Sequence, residues 1–433
     1  MHPSRAIRGK RSHLLDGRRI VVGISGSIAA IEVPRVIREL IRHGADVRPV
    51  MSGEAARLVT PEAITFASGH EPVQHLTGAV EHVEFFGPGD DRADLLLIAP
   101  ATANTISKIA HGTDDTPVTS CASMALGANI PILIAPAMHA QMAGNPAVRQ
   151  NLEQLTTWGI GIIRSQSAEG EEKLATPDEI AAAVLQRLAG PPWAGKTVIV
   201  IGGASRESID AVRSVTNESS GATAVALATQ AHYRGAKVLF WVGAVSVLIP
   251  GWLEVTHWRS VGDLEALVRD RASDLRTASA VLVPAAISDF TFSAESGKIS
   301  SRDRPTLTLT LERAPKILTR LRRAVGRGTL LVGFKLEAGK SPDELIAGAQ
   351  ALLKENRLDW VAANDQSSLG SKETTLLVVT KQGTQHPLHG PKEDVAGKLL
   401  DDLGRELANL RIPAVGGTSR ARRIPPKGRR GRS

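Results

Sequence analysis

Short apolar runs, each closed by glycine, proline or small polar residues, alternate along this chain with stretches whose apolar positions recur every three to four residues. RIVVGIS (19–25), DVRPVM (46–51), DLLLIAP (94–100) and PILIAP (131–136) read as buried strands. SIAAIEVPRVIRELIRHG (27–44) follows the first of them with helical spacing. At Gly190-Pro191-Pro192 the pattern breaks and restarts with GKTVIVIGG (195–203). KVLFWVG (237–243), AVLVPAA (280–286), TLLVGF (329–334), DWVAAN (359–364) and TLLVVT (375–380) are further strands, and helical stretches occupy 220–234, 342–357 and 392–409. Strands separated by helices imply βαβ units and a parallel sheet. The expectation is an α/β protein of two Rossmann-like three-layer domains at 19–190 and 193–411, with a basic arm at 1–18 and a disordered basic tail at 412–433. A chain of 433 residues suits that division.

The longest apolar stretch, Val238 to Leu253, holds two glycines and a proline. It falls short of the roughly 20 residues of a membrane span, and reads as a buried strand followed by a loop. Aromatics are 3% of the chain and Tyr233 is its one tyrosine, so the cores are expected to be aliphatic. The single cysteine, Cys121, excludes an internal disulfide framework, and residues 1–19 lack the apolar segment of a secretory signal. Both point to the cytoplasm. Net charge is +8, but residues 1–19 carry +5 and residues 412–433 carry +7, so the stretch between them is net −4. The basic ends read as solvated arms, and the body does not read as a nucleic-acid-binding surface.

The first strand ends in Gly23-Ile24-Ser25-Gly26-Ser27, directly before a helix. Small residues let a phosphate approach the free N–H groups of a helix start, although a plain turn would look the same, and the pattern is not G-x-G-x-x-G. Two other strand ends, ATANT after DLLLIAP and AMHAQM after PILIAP, are also small and polar. In an open parallel sheet ligands sit at the carboxyl ends of strands, so the three loops suggest one pocket.

The set GISGSIAA, EHV, APATANT and APAMHAQM…NPAV resembles the homo-oligomeric flavin-containing cysteine decarboxylases. The resemblance implies a flavodoxin-like fold with FMN bound between subunits. It places Gly23, Ser25, Gly26, Ser27, Ser52 and the loop Pro100, Ala101, Thr102, Ala103, Asn104 against FMN, and makes His82 the active-site histidine. A flavin is needed because direct loss of the carboxylate would leave an unstabilised carbanion. Prior oxidation of the thiol to a thioaldehyde provides an electron sink, and the resulting enethiolate is later reduced. His139 stands where the family has the asparagine that holds the substrate carboxylate. The family's flap cysteine, a proton donor in the last reduction, has no counterpart in SQSAEGEEKLATPDEI, which leaves Glu169, Lys173 or water for that role. Cys121 itself reads as a packing residue on a helix.

The stretch GKTVIVIGGASRESIDAVRSVTNESSGATAVALATQAHYRGAKV, with VPAAISDF, SGKIS, ERAPKIL, VGFKLE and DWVAAND, resembles the phosphopantothenate–cysteine ligases. Together the two resemblances cover most of residues 17–400, in the order of the fused bifunctional enzymes of coenzyme A synthesis. They imply CTP as co-substrate and Mg²⁺ as cation, with 4'-phosphopantothenate and cysteine as the other substrates. Ser219, Ser220 and Gly221 would cradle the triphosphate. Ala285, Pro315, Lys316, Ile317, Leu318, Phe334 and Lys354 would line the rest of the nucleotide site. Asp289 would hold the metal, Lys298 the transition-state charge, and Asn217 the acyl-cytidylate. Where the family has Lys-Ile-Lys-Lys this chain reads Lys298-Ile299-Ser300-Ser301. Trimers in the first half combined with dimers in the second are implied. Two other readings remain: an active ligase fused to an FMN-binding half that does not complete decarboxylation, and a regulatory flavin-binding protein, which would not need the ligase segments.

Overall fold

The apolar runs of the first half become β1 (Arg19–Ile24), β2 (Asp46–Met51), β3 (Leu95–Ala101) and β4 (Ile132–Pro136), with a short β5 (Gly161–Ile162) beyond them. This computed structural model describes residues 2–165, 173–300, 306–384 and 387–409. The five strands are parallel in the order β2-β1-β3-β4-β5, the flavodoxin-like arrangement. Alternation along each strand feeds two separate cores. Ile20, Val22 and Ile24 enter one and Val21 the other, and Leu95 and Leu97 part from Leu96 and Ile98 in the same way. That division makes the half three-layered.

The second half forms β6 (Thr197–Gly202), the hairpin β7 (Arg206–Ser208) and β8 (Ser214–Thr216), then β9 (Lys237–Val242), β10 (Glu254–His257) and β11 (Ala280–Val283). The short pair β12 (Phe290–Thr291) and β13 (Glu312–Arg313) follows, then β14 (Leu330–Glu337), β15 (Trp360–Asp365), β16 (Glu373–Thr380), β17 (Gly383–Thr384) and β18 (Leu388–Pro391). The main sheet runs β10-β9-β6-β11-β14-β15-β16. In chain order its first six members stand 3-2-1-4-5-6, the doubly wound dinucleotide-fold order. The expected all-parallel sheet is corrected at one edge, where β16 lies antiparallel to β15 and both β17 and β18 antiparallel to β16. Residues 366–372 between β15 and β16 hold a single 3₁₀ turn, too little chain for the crossover that a parallel partner requires.

The N-terminal segment is also corrected. Residues 2–18 lie packed on the first half and are not a solvated arm. Pro3–Ile7 is helical, Leu15 is buried in the core, and the Arg11 guanidinium bridges Glu39 and Asp178. Arg18 pairs with Asp94 at 2.7 Å. The expected tail at 412–433 lies outside the described residues.

The two halves meet where the Pro177–Leu188 helix packs on the Ala222–Tyr233 helix. Tyr233 reaches across into the first core, its ring edge-on to His43 at 5.6 Å. Gln186 Nε2 donates to His232 Nδ1 at 3.3 Å. Burial lowers the His232 imidazole from its ordinary 6.5 to about 4. The unfolded chain therefore binds the proton first as pH falls. His232 stability is complete above pH 6.5 and is lost between 6.5 and 4, by at most about 3 kcal/mol. Glu39, held at about 2 against burial by His43 and Arg11, keeps its stabilising contribution down to its ordinary 4.5 and loses it only below that pH. Melting the protein at pH 7 and pH 5 is expected to show a fall in Tm that His232→Gln reduces. An equal fall in both proteins would place the acid sensitivity elsewhere.

Candidate functional sites

Chain reversal sets the first site. The helices that follow β1 and β3 lead to opposite sides of the first sheet, which opens a crevice between the carboxyl ends of these neighbouring strands. Ser25, expected to lie against FMN, is buried, and its hydroxyl is committed to lacing the two loops together. Its Oγ donates to the Pro100 carbonyl at 2.7 Å and accepts the Thr102 amide at 3.0 Å. Ser27, Ser52 and Thr102 cap the short helices that start here, accepting N–H groups of Ala29, Ala55 and Thr105. Pro100, Ala101 and Ala103 are buried, and Asn104 is exposed. A Cβ on Gly26 would stand 2.4 Å from Glu54 Cβ. Only glycine lets these two loops close into a cradle.

His82 lies on the Glu81–Phe86 helix, which packs on the Pro117–Gly127 helix. Val80 just before it adopts a left-handed φ of 51°, and Thr77 closes the turn by donating its amide to Glu81 Oε2 at 3.0 Å. His82 Nδ1 is buried with no hydrogen-bond partner among the described residues. A buried polar atom left unmatched fits a bound polar ligand, because such an atom is costly unless a partner satisfies it. His139, at the end of β4, is exposed and makes no capping bond. Residues 166–172, including Glu169, lie outside the described residues, and Lys173 stands at their exposed edge.

Cys121 is 1% exposed in the core, and burial, with Asp114 and Glu81, pushes its thiol up to about 12. The thiol stays protonated and out of reach. Cys121→Ser is therefore expected to keep the reduction expected of this half within about twofold. A product two hydrogens lighter in that variant would identify Cys121 as the donor instead.

The second crevice lies at the carboxyl ends of β11, β14 and β15, beside the start of the Ala222–Tyr233 helix. It is lined by Ser219, Ser220, Gly221, Ala285 and Phe334, which the sequence singled out, and by Asn364, Ser368 and Lys392, which it did not. Gly221 has a φ of +77°, and a Cβ there would stand 2.3 Å from Val245 Cγ1. Ser219 Oγ accepts the Gly221 amide at 3.4 Å and Ser220 Oγ the Ala222 amide at 3.3 Å, and Gly221 itself adds no side-chain cap to the N–H groups that follow. Asn217 Nδ2 donates to the Ala286 carbonyl at 3.1 Å, which ties the β8 loop to the end of β11.

Asp289 is exposed and pairs with Lys316 Nζ at 2.9 Å. The described residues contain no cluster of three or more potential metal-ligating side chains. A lone carboxylate suits Mg²⁺ only when phosphates and water complete the shell. Lys298 is exposed on a loop fixed at both sides. The Ala211 amide donates to Gly297 O at 2.9 Å, and the Ile299 amide to Asp210 Oδ2 at 3.1 Å. The Val212, Arg213 and Ile299 amides hold the Asp210 carboxyl at about 2. Pro315 and Lys316 lead into the Ile317–Ala324 helix, but Ile317 is 3% exposed and belongs to the hydrophobic core, with half-buried Leu318 packed against it. Ile317 is thus a core side chain. Lys354 is exposed in the last turn of the Pro342–Asn356 helix and does not line the crevice.

Known proteins resemble the chain in two stretches. Residues 8–189 match the family model described as Flavoprotein, and residues 193–406 match the DNA/pantothenate metabolism flavoprotein C-terminal domain. The coenzyme A biosynthesis bifunctional protein CoaBC of Thermococcus kodakarensis is 39% identical over 409 residues, covering 94% of this chain and 100% of that one. Its counterpart in Methanocaldococcus jannaschii is 34% identical, covering 93% and 97%. Among solved structures, the FMN-dependent cysteine decarboxylase SpaF is 34% identical with a TM-score of 0.35, covering 40% of this chain and 98% of that one.

Proposed function

This chain belongs to the family of bifunctional coenzyme A biosynthesis proteins, which join a phosphopantothenoylcysteine decarboxylase to a phosphopantothenate–cysteine ligase, and from that premise we propose how its two crevices divide the work. The half at 193–411 ligates cysteine to 4'-phosphopantothenate with CTP and Mg²⁺. The half at 19–190 decarboxylates the product with FMN to 4'-phosphopantetheine. The observation that supports this most is that small-residue loops gather at the carboxyl ends of both sheets, laced by Ser25 in the first and set beside the start of the Ala222–Tyr233 helix in the second.

In the ligase half the phosphopantothenate carboxylate attacks the α-phosphate of CTP and pyrophosphate leaves. The cysteine amine then displaces CMP from the acyl-cytidylate. The helix start after Gly221, with the Ser219 and Ser220 hydroxyls, receives the phosphates, and Lys298, on a flexible stem above a fixed loop, neutralises the charge that develops. Asp289, now paired with Lys316, would hold Mg²⁺, which would supply charge to offset the triphosphate, and Asn217 holds the acyl-cytidylate. In the decarboxylase half bound FMN supplies the two-electron acceptor and donor. The cradle closed by Gly26 holds it, His139 donates to the substrate carboxylate, and His82 accepts or stabilises the proton at the reacting thiol.

Trimers through the first half and dimers through the second, in the cytoplasm, complete the proposal. Ile28, Ile31 and Phe66 are 70%, 54% and 55% exposed, and the two isoleucines directly follow the Ser27 loop, as expected of a face that another copy covers. No described helix is long and apolar enough to cross a membrane. The missing flap cysteine favours a second reading, in which the first half binds FMN but does not finish the reduction. Ligation assayed with CTP, ATP, GTP and UTP, each with and without EDTA, tests the nucleotide assignment. CTP with Mg²⁺ is expected to be the best pair, and equal rates with ATP would overturn the choice of CTP.

A further inference from the structure

The loop expected to cradle phosphates, Glu218 to Ala224, carries no cation, and its one charged residue, Glu218, is acidic. Among the described residues lining the crevice a single cation is present, Lys392, from the start of the last helix and 171 residues beyond Gly221. Its backbone is fixed. Pro391 pairs with Glu373 across β18 and β16, the Lys392 amide donates to Lys372 O at 3.0 Å, and Val395, Ala396 and Leu399 of the same helix are buried in the core. Lys392 is half-buried beside Leu376 and Phe334, and its side chain has no acidic partner among the described residues. We propose that Lys392 is a phosphate-binding residue of the ligase site, supplying from the C-terminal helix the positive charge that the Ser219–Gly221 loop lacks. Burial lowers its proton affinity with no carboxylate to offset the cost, a condition that a bound phosphate relieves.

The inference rests on the reading of this crevice as the ligase's substrate site. Two phosphates could occupy it, those of CTP and that of phosphopantothenate. Steady-state ligation by the full-length protein separates them. Lys392→Met is expected to raise KM for one of the two substrates about 10- to 100-fold, with kcat changed far less. Lys392→Arg is expected to restore most of the loss. A rise for CTP identifies the nucleotide phosphates, and a rise for phosphopantothenate identifies the substrate phosphate. Circular dichroism and flavin content of each variant report folding. Unchanged KM values for both substrates in folded Lys392→Met overturn the inference, as does a loss that Lys392→Arg does not restore. If wild-type ligation needs no nucleoside triphosphate, the reading of the crevice fails, which is a separate outcome.

Discussion

His82→Asn is expected to cut CO₂ release from phosphopantothenoylcysteine by about 10²- to 10⁴-fold, the usual range for a positioned acid–base group, while flavin stays bound. The cradle depends on Gly26, Ser25 and the Pro100–Thr102 loop, none of which hydrogen-bonds the imidazole. His82 is held instead by its own short helix against the Pro117–Gly127 helix, with Nδ1 unmatched. Asparagine can occupy that place and donate a hydrogen bond but cannot take up a proton. The check is the rate of CO₂ release beside the visible flavin spectrum. Turnover near wild type would remove His82 from the chemistry, and loss of the flavin would make it a binding residue.

The second large effect is expected on the other half. Lys298→Gln and Asp289→Asn should each lower ligation by about 10²-fold or more, the scale of losing one charge-stabilising contact in a transition state. Flavin content should not change, because the two residues lie on loops of the second sheet. Both side chains are exposed, so the substitutions leave no buried group unpaired. Ligation at the wild-type rate in either variant would refute its role, and loss of flavin with ligation intact would reverse the assignment of the halves.

Where periodicity and glycine placement are local signals, the sequence was a good guide. RIVVGIS, DLLLIAP and PILIAP became strands of the first sheet, and the loops after them gathered at its carboxyl edge. The second crevice was legible through Ser219, Ser220 and Gly221, since a helix start announces itself locally. Less was legible where distant segments meet. TLLVVT looks like any buried strand, and only the short link from β15 makes it antiparallel. The basic N-terminus looks like a solvated arm until its arginines are seen facing Glu39, Asp178 and Asp94. Ile317 sits in a motif segment yet packs in the core, and Lys392 belongs to the crevice through tertiary contact alone. For the Ser25 hydroxyl, the carbonyl that occupies it lies 75 residues away in sequence.

The most direct test of two complementary active centres in one chain is a single incubation. Purified protein is mixed with 4'-phosphopantothenate, cysteine, CTP and Mg²⁺, and the products are identified by mass. 4'-Phosphopantetheine is expected, together with CO₂, pyrophosphate and CMP. Accumulation of phosphopantothenoylcysteine, or of an enethiol two hydrogens lighter than phosphopantetheine, would contradict a complete decarboxylase half.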